Sequence, residues 1–457
     1  MYFLYSILFT LGIIALLPRF AYDALRKGKY VVGLGERLGR LPPLSTEDRP
    51  VIWLHCVSVG ETQAARSLVS ALLDEYPTHA LVVSTTTATG QRVARQVFKD
   101  DAAAVFYFPF DWAWTVRRAL KIINPQTVLI METELWPRFL RECRRRRIAV
   151  AVVNGRLSER SFRRYRIARG FISRVVNCLS LALMQSEADA ARVRALGLEA
   201  GRVLVSGNVK FDAGVDEFAS ELTFQLRERF QLDDARPLIV AASTHAPEER
   251  VVVDAYRQLR AASSLGMPRL LIAPRHPERF AEVAAMLDAS GFRWSRRSSA
   301  ASEFDSSCEI ILLDSIGELR AVYALAALVF VGGSIAPVGG HNVLEPAATG
   351  ACIITGPHTF NFAAIMKEFL EAEALVQLPL LRETEYAARL AQVCAELLTD
   401  ERRRARLSAQ ARLTLEQNRG ATMRTLKMLA PLLPVTPADR SARGRAQSSA
   451  ARSTLSS

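Results

Sequence analysis

The stretch ALVFVGGSIAPVGGHNVLEPAATG, residues 327–350, holds a strand, a glycine-rich turn and a helix start in one run. Ala327–Val331 is continuously apolar, as a strand buried on both faces must be. Two glycine pairs, Gly332–Gly333 and Gly339–Gly340, let backbone amides approach a ligand where a Cβ would clash. Asn342 with Glu345 three residues on has the capping-box spacing, so a helix is expected to open there and offer its N–H groups to an anion. The glycine spacing matches neither the dinucleotide fingerprint nor the P-loop. Taken alone, the stretch reads equally well as a turn before a capped helix.

Working outward, the same strand–helix alternation fills the chain. Strands are predicted at Val51–Val57, Leu81–Thr86, Val105–Phe110, Thr127–Glu132, Ile148–Val153, Leu181–Gln185 and Arg202–Gly207. A polar stretch, Ala213–Arg236, interrupts them, and a second series follows at Leu238–Ala242, Arg269–Ala273, Glu309–Leu313, Ala327–Val331 and Cys352–Thr355. Continuous rather than alternating apolar strands belong to parallel sheets covered on both faces. Two such series predict an α/β protein of two doubly wound, Rossmann-like domains facing a cleft, at 35–212 and 237–433, joined by a connection over 213–236. The last stretch, 434–457, is rich in Ser, Ala, Arg, Pro and Thr and is expected to be a disordered tail.

Met1–Pro18 carries no charge and would extend about 27 Å as a helix, close to a bilayer's hydrocarbon thickness. Arg19, Arg26, Lys27 and Lys29 follow it, which by the positive-inside rule keeps the rest of the chain cytoplasmic. Residues 1–18 are therefore expected to be a single N-terminal anchor helix that either spans the membrane or lies in its interface. The formal net charge is +13, and all of it lies in residues 1–212, with 31 Lys and Arg against 18 Asp and Glu; the remainder holds 28 of each. Such an excess predicts a polyanionic partner: nucleic acid, an anionic membrane face or a phosphorylated substrate. Six scattered cysteines without a C-x-x-C pair fit a reducing compartment.

Ligands of an open parallel sheet lie beyond the carboxyl ends of its strands, which selects the residues to weigh. After the first strand stands Glu61, placed to act as general base toward a hydroxyl or simply to complement a helix N-terminus. After the fourth come Glu132 and Glu134, two carboxylates that are costly to bury without a role. After the seventh comes Lys210, suited to neutralise a carboxylate or phosphate, or to pair with Asp212. The second half offers Ser243-Thr244-His245, then Pro274-Arg275-His276, where an Arg at a strand end suits a phosphate. Ile316-Gly317-Glu318 and Asn342-Val343-Leu344-Glu345 complete the set, Glu345 being able to accept from a ribose diol. No metal-ligand spacing and no G-x-S-x-G elbow is present.

Several motifs together resemble the 3-deoxy-D-manno-octulosonic acid (Kdo) transferases of lipopolysaccharide assembly. They are Gly35-Glu36-Arg37, His55-Cys56-Val57-Ser58-Val59-Gly60-Glu61, Ser84-Thr85-Thr86-Thr87, METELWP at 131–137 and Val153-Asn154-Gly155-Arg156-Leu157-Ser158. Gly207-Asn208-Val209-Lys210, Pro274-Arg275-His276, GGHN at 339–342 and Gly356-Pro357-His358-Thr359-Phe360-Asn361 follow in order. The resemblance implies a GT-B fold and an inverting glycosyltransferase that uses CMP-Kdo as donor and a lipid A precursor (lipid IVA) as acceptor. It implies no metal or other cofactor, no nucleic acid partner, and a place on the cytoplasmic face of the inner membrane. It implies Glu61 as general base and Glu132 with Lys210 as the pair stabilising the transition state, Glu134 being an alternative to Glu132. Pro274, Arg275, Ile316, Gly317, Glu318, Asn342, Val343, Leu344 and Glu345 are implied as CMP contacts. A UDP-sugar transferase of the same fold and a non-catalytic basic membrane scaffold are the competing readings.

Overall fold

The computed structural model describes residues 1–27, 33–41, 44, 46, 49–212, 219–232, 236–262 and 267–433, with side chains of the first helix described to Leu16. The expected tail at 434–457 and part of the connection at 213–236 lie outside them. The chain forms two compact units: residues 1–213 with 419–457, and residues 214–418.

The first unit is built on seven strands, β1 (Val51–Cys56), β2 (Ala80–Thr85), β3 (Ala102–Tyr107), β4 (Thr127–Met131), β5 (Ala149–Gly155), β6 (Leu181–Met184) and β7 (Val203–Val205). They pair in parallel in the order β3-β2-β1-β4-β5-β6-β7. The second unit repeats the plan with β8 (Leu238–Thr244), β9 (Arg269–Pro274), β10 (Trp294–Arg296), β11 (Ile310–Leu312), β12 (Ala326–Val331), β13 (Cys352–Thr355) and β14 (Val376–Gln377). Its order is β10-β11-β9-β8-β12-β13-β14, again parallel. All twelve predicted strands form. The two short ones that sequence patterning missed, β10 and β14, are edge strands.

Eight helices position the site or brace the elements that carry it: α1 (Tyr2–Lys27), α2 (Val59–Ala64), α3 (Pro137–Arg145), α4 (Glu159–Ile167), α5 (Arg169–Val176), α6 (Glu248–Ala262), α7 (Leu344–Thr349) and α8 (Ala421–Leu429). Both faces of the first sheet are covered. Trp53, Val82, Val128, Val150 and Phe139 pack on one side; Leu54, Leu81, Val83, Leu129 and Leu183 pack on the other. Burial on both faces is why these strands read as unbroken apolar runs. The second sheet buries Ile239, Ile272, Leu312, Phe330 and Ile354 in a core of its own. Residues 419–433, placed with the second series by the sequence, return to the first unit, where Leu426, Leu429 and Leu433 join the second of those two faces.

The expected anchor is corrected in one respect: among the described residues, no helix is long and apolar enough to cross a membrane. The helix forms, runs past Pro18, and docks one face on the first unit. Tyr5 donates to Asp111 (2.8 Å), Trp112 Nε1 to Thr10 Oγ1 (2.9 Å), and Arg138 Nε to Ser6 Oγ (2.7 Å). Tyr2 meets Phe171 of α5 edge-on, with ring centres 5.2 Å apart. Side chains with polar ends face the protein, while Phe3, Leu4, Ile7, Leu8, Leu11 and Ile14 are exposed.

Asp111 ties this helix to the sheet. Its buried carboxylate accepts from Tyr5 and from the amides of Arg138 (2.9 Å) and Phe139 (2.7 Å) at the opening of α3. Asp111→Ala removes a helix cap and strands those donors, so we expect a loss of about 1–3 kcal/mol in urea unfolding. Tyr5→Phe should lose about 1 kcal/mol.

Candidate active site

In the first unit the sheet order reverses between β1 and β4, and each strand is followed by a carboxylate, Glu61 in α2 and Glu132 directly after Met131. Beyond β1, Ser58 caps α2: its hydroxyl accepts from the Glu61 amide (3.4 Å), and the Glu61 carboxylate reaches back to the Val57 amide (2.8 Å) and the Ser58 hydroxyl (2.9 Å). Glu61 thus serves the helix N-terminus as the plainer reading expected. It is also buried, and burial pushes its pKa up to about 7. The Val57 amide opposes that shift, and the Glu132 charge adds to it. A carboxylate acceptor keeps spare lone pairs after two hydrogen bonds, so a cap and a base are compatible.

Glu132 follows β4 with φ 56, a left-handed conformation uncommon for a residue with a side chain. Its amide continues the sheet by donating to Val153 O (3.0 Å), and its carboxylate meets Lys210 Nζ at 3.4 Å. Glu134 has no ion pair to Lys210 and is held above its usual pKa by burial and by Glu132. The lysine's partner is Glu132.

Lys210 sits in a tight turn, Val209–Asp212, that is fixed from two sides. Buried Asn154, at the end of β5 with φ 52, accepts from the Val209 amide (3.1 Å). Asp212, the expected alternative partner of Lys210, instead accepts from the amides of Gly420 (2.6 Å) and Thr422 (2.5 Å) at the opening of α8. Arg424 Nε adds a bond to Ser206 O (2.9 Å). In the sequence Asn154 is only one letter of a motif; its role depends on a contact 55 residues away that spacing does not reveal.

In the second unit the sheet order reverses between β8 and β12, and here the glycine-rich turn is corrected. The amides of Gly333 (2.7 Å), Ser334 (2.9 Å), Ile335 (2.8 Å) and Ala336 (3.1 Å) all donate to the buried carboxylate of Glu248, as does that of His245 (2.9 Å). The cradle expected for a ligand is filled by the chain itself. A Cβ at Gly332 would come within 2.6 Å of Ser243 O and 2.9 Å of the Glu248 carboxylate, and one at Gly333 within 3.0 Å of the His341 ring. At Gly339 it would meet Asn361 and Phe360. These glycines admit neighbouring loops. Sequence reading passed over Glu248 because it looks like an ordinary acid in the first turn of α6.

The helix expected after Asn342 is α7, six residues long and stopped at Gly350 (φ 80). Asn342 Oδ1 accepts from Leu344 N (3.1 Å) and its amide donates to Glu345 (3.1 Å), so the capping pair closes side chain to side chain, one residue ahead of the cap position. Val343 and Leu344 are buried; Glu345 lies 3.6 Å from Arg320. Pro274 ends β9 and is buried, while the Arg275 side chain is exposed and makes no bond to another described residue. Ile316 is 80% exposed, which for a branched apolar residue beside Gly317 (φ 89) leaves a bare apolar face. Glu318 is engaged by Arg297 (2.8 and 3.0 Å) and Ser315 (2.7 Å). Among the described residues, no group of three or more His, Cys, Asp or Glu side chains is arranged to hold a metal ion.

Residues 33–213 match the profile of a family described as 3-Deoxy-D-manno-octulosonic-acid transferase (kdotransferase). The chain is 33% identical over 410 residues to the 3-deoxy-D-manno-octulosonic acid transferase of Haemophilus influenzae, covering 90% of this chain and 93% of that one. It is 35% identical over 390 residues to the protein of the same name from Bordetella pertussis, covering 83% and 86%. Among solved structures, UDP-GlcNAc 2-epimerase from Neisseria meningitidis bound to UDP-GlcNAc superposes with a TM-score of 0.53, over 84% of this chain and 99% of that one. At 11% identity that likeness shows the fold alone, two parallel-sheet units of the GT-B type. These relatives place the chain: it belongs to the 3-deoxy-D-manno-octulosonic acid transferase family and is a glycosyltransferase.

Proposed function

We propose that the protein transfers Kdo from CMP-Kdo to a hydroxyl of a lipid A precursor, with inversion at the anomeric carbon. The observation that carries the site assignment is the cluster at the first sheet's reversal: a buried Glu61 with a raised pKa beside the Glu132–Lys210 pair. Glu61 accepts the proton of the attacking hydroxyl, whose oxygen forms the new bond to the anomeric carbon. The bond from that carbon to the phosphate breaks, and its electron pair leaves with CMP. Lys210, oriented by Glu132, offsets negative charge as it develops near the sugar acid. Arg275, with Pro274, the 316–318 turn and Asn342–Glu345, receives the nucleotide. In this reading Lys210 and Arg275 supply the positive charge and no metal is required.

The membrane reading takes a different form from a spanning anchor. The docked face of α1 leaves an apolar stripe, with Phe3 76% and Leu8 60% exposed, suited to lie along a bilayer interface. Tyr2 of α1 meets Phe171 of α5, and α4, which precedes α5 in the chain, carries Arg160, Arg163, Arg164 and Arg166, with Ile167 89% exposed at its end. Such a surface fits anionic headgroups and a phosphorylated glycolipid on the cytoplasmic side of the inner membrane.

Glu61→Gln should lower kcat by about 10²–10⁴-fold with CMP binding retained, measured with CMP-Kdo and a tetraacylated acceptor. An unchanged rate removes Glu61 from the base role, and calorimetry showing tight UDP but no CMP binding removes the donor. The base works as carboxylate, so kcat/KM should fall as pH drops through about 7. Glu132→Gln should move that limb to lower pH, because the Glu132 charge raises the Glu61 pKa. Leu4→Glu with Leu8→Glu should abolish co-sedimentation with anionic phospholipid vesicles while leaving the unfolding transition in place; vesicle binding equal to wild type refutes the interfacial helix. Chelator should leave the transfer rate unchanged.

A further inference from the structure

Because Glu248 occupies the amides of Gly333–Ala336 after β12, those amides are not open to an anionic ligand of the second unit. Gathered at that end of the sheet are three imidazoles and the Arg275 guanidinium, with Arg279 close by and paired to Glu249. His245, after β8, and His341, after the Gly339–Gly340 turn, approach Nε2 to Nε2 at 2.8 Å, their rings within 7° of parallel. His276, after β9, packs edge-on against His245 with ring centres 5.0 Å apart, and Arg275 precedes it. Two architectural details serve this pair. Gly333 leaves room for the His341 ring, and Glu248, by accepting from the His245 amide, fixes the loop that carries the other imidazole.

A contact between two imidazole nitrogens requires one donor and one acceptor. In the neutral pair one ring therefore bears its proton on Nε2 and the other on Nδ1. Neither Nδ1 bonds to another described residue, and neither is sealed from solvent. One added proton turns the pair into a cation with an N–H at both Nδ1 positions. Burial first, then His245, Arg275 and His276, lower the His341 pKa to about 4. His245 is lowered by burial, His276, Arg275 and Arg279, against Glu249. Burial and the neighbouring cations thus favour the neutral pair, and an arriving anion offsets the repulsion that disfavours its protonation.

We propose that His245 and His341, with Arg275, form the anion subsite of the donor and take the phosphate that joins cytidine to the sugar. The proposal rests on the CMP-Kdo reading above. When the bond between the anomeric carbon and the phosphate oxygen breaks, its electron pair stays on that oxygen, where N–H donors stabilise it. The acceptor's proton still goes to Glu61, so the balance of the reaction is unchanged.

Calorimetry with CMP and with cytidine, on the full chain and on His245→Asn and His341→Asn, tests this. Each variant should weaken CMP binding by roughly tenfold or more, the scale of a lost charge-assisted hydrogen bond, and leave cytidine binding unchanged. Wild type should take up more protons on binding CMP than either variant, read from the dependence of enthalpy on buffer ionisation heat. CMP affinity and proton uptake equal to wild type in both variants overturn the subsite, as does equal loss of cytidine and CMP, which marks a structural role. Wild-type protein that binds neither CMP nor cytidine overturns the donor reading, and the subsite with it.

Discussion

One buried carboxylate organises the second unit. A lone ionised Glu248 in that interior would be costly, and burial does raise its pKa; the amides that converge on it act in the opposite direction. Its bonds run from the loop after β8 to the turn after β12, the two strands between which the sheet order reverses. The site therefore begins as a folding problem. Amides at the end of β12 must be satisfied, and the residue that satisfies them also fixes the loop bearing His245.

The first unit uses similar means for another end. Glu132 and Asn154 both take left-handed backbone conformations where their strands stop. Such conformations cost of order 1 kcal/mol or more each and persist where surroundings enforce them. Here they turn one carboxylate toward Lys210 and hold the turn that carries the lysine. Asp212 completes the frame by bonding to amides near the far end of the chain. Glu61, the Glu132–Lys210 pair and the turn are all held by polar contacts at strand ends, while packing on both sheet faces keeps the strands in register.

Sequence reading recovered what depends on local pattern. Continuous apolar runs gave the parallel sheets, and Glu61, Glu132, Lys210 and Arg275 do stand beyond strand ends, where the rule for ligands of parallel sheets directed attention. It missed what depends on partners distant in sequence. The turn at Gly332–Gly333 read equally well as an open cradle or a plain turn because nothing local says that an acid 85 residues earlier fills it. Met1–Pro18 left spanning and interfacial readings open because hydropathy averages over faces, whereas Tyr5, Ser6 and Thr10 sit on the face that docks. For Glu61 both readings offered by the sequence meet in one side chain: a helix cap that is also buried enough to titrate near neutrality.

The return of residues 419–433 to the first unit bears on how the chain is made. Leu426, Leu429 and Leu433 complete a core that begins with β1, and Asp212 waits for amides more than 200 residues downstream. During synthesis the first sheet emerges long before its last helix, so one flank of it stays uncovered while the whole second unit is translated. That interval exposes apolar surface. A fragment ending near residue 213 keeps that defect permanently, and dissecting the chain into halves by sequence order separates Lys210 from the helix that secures its turn.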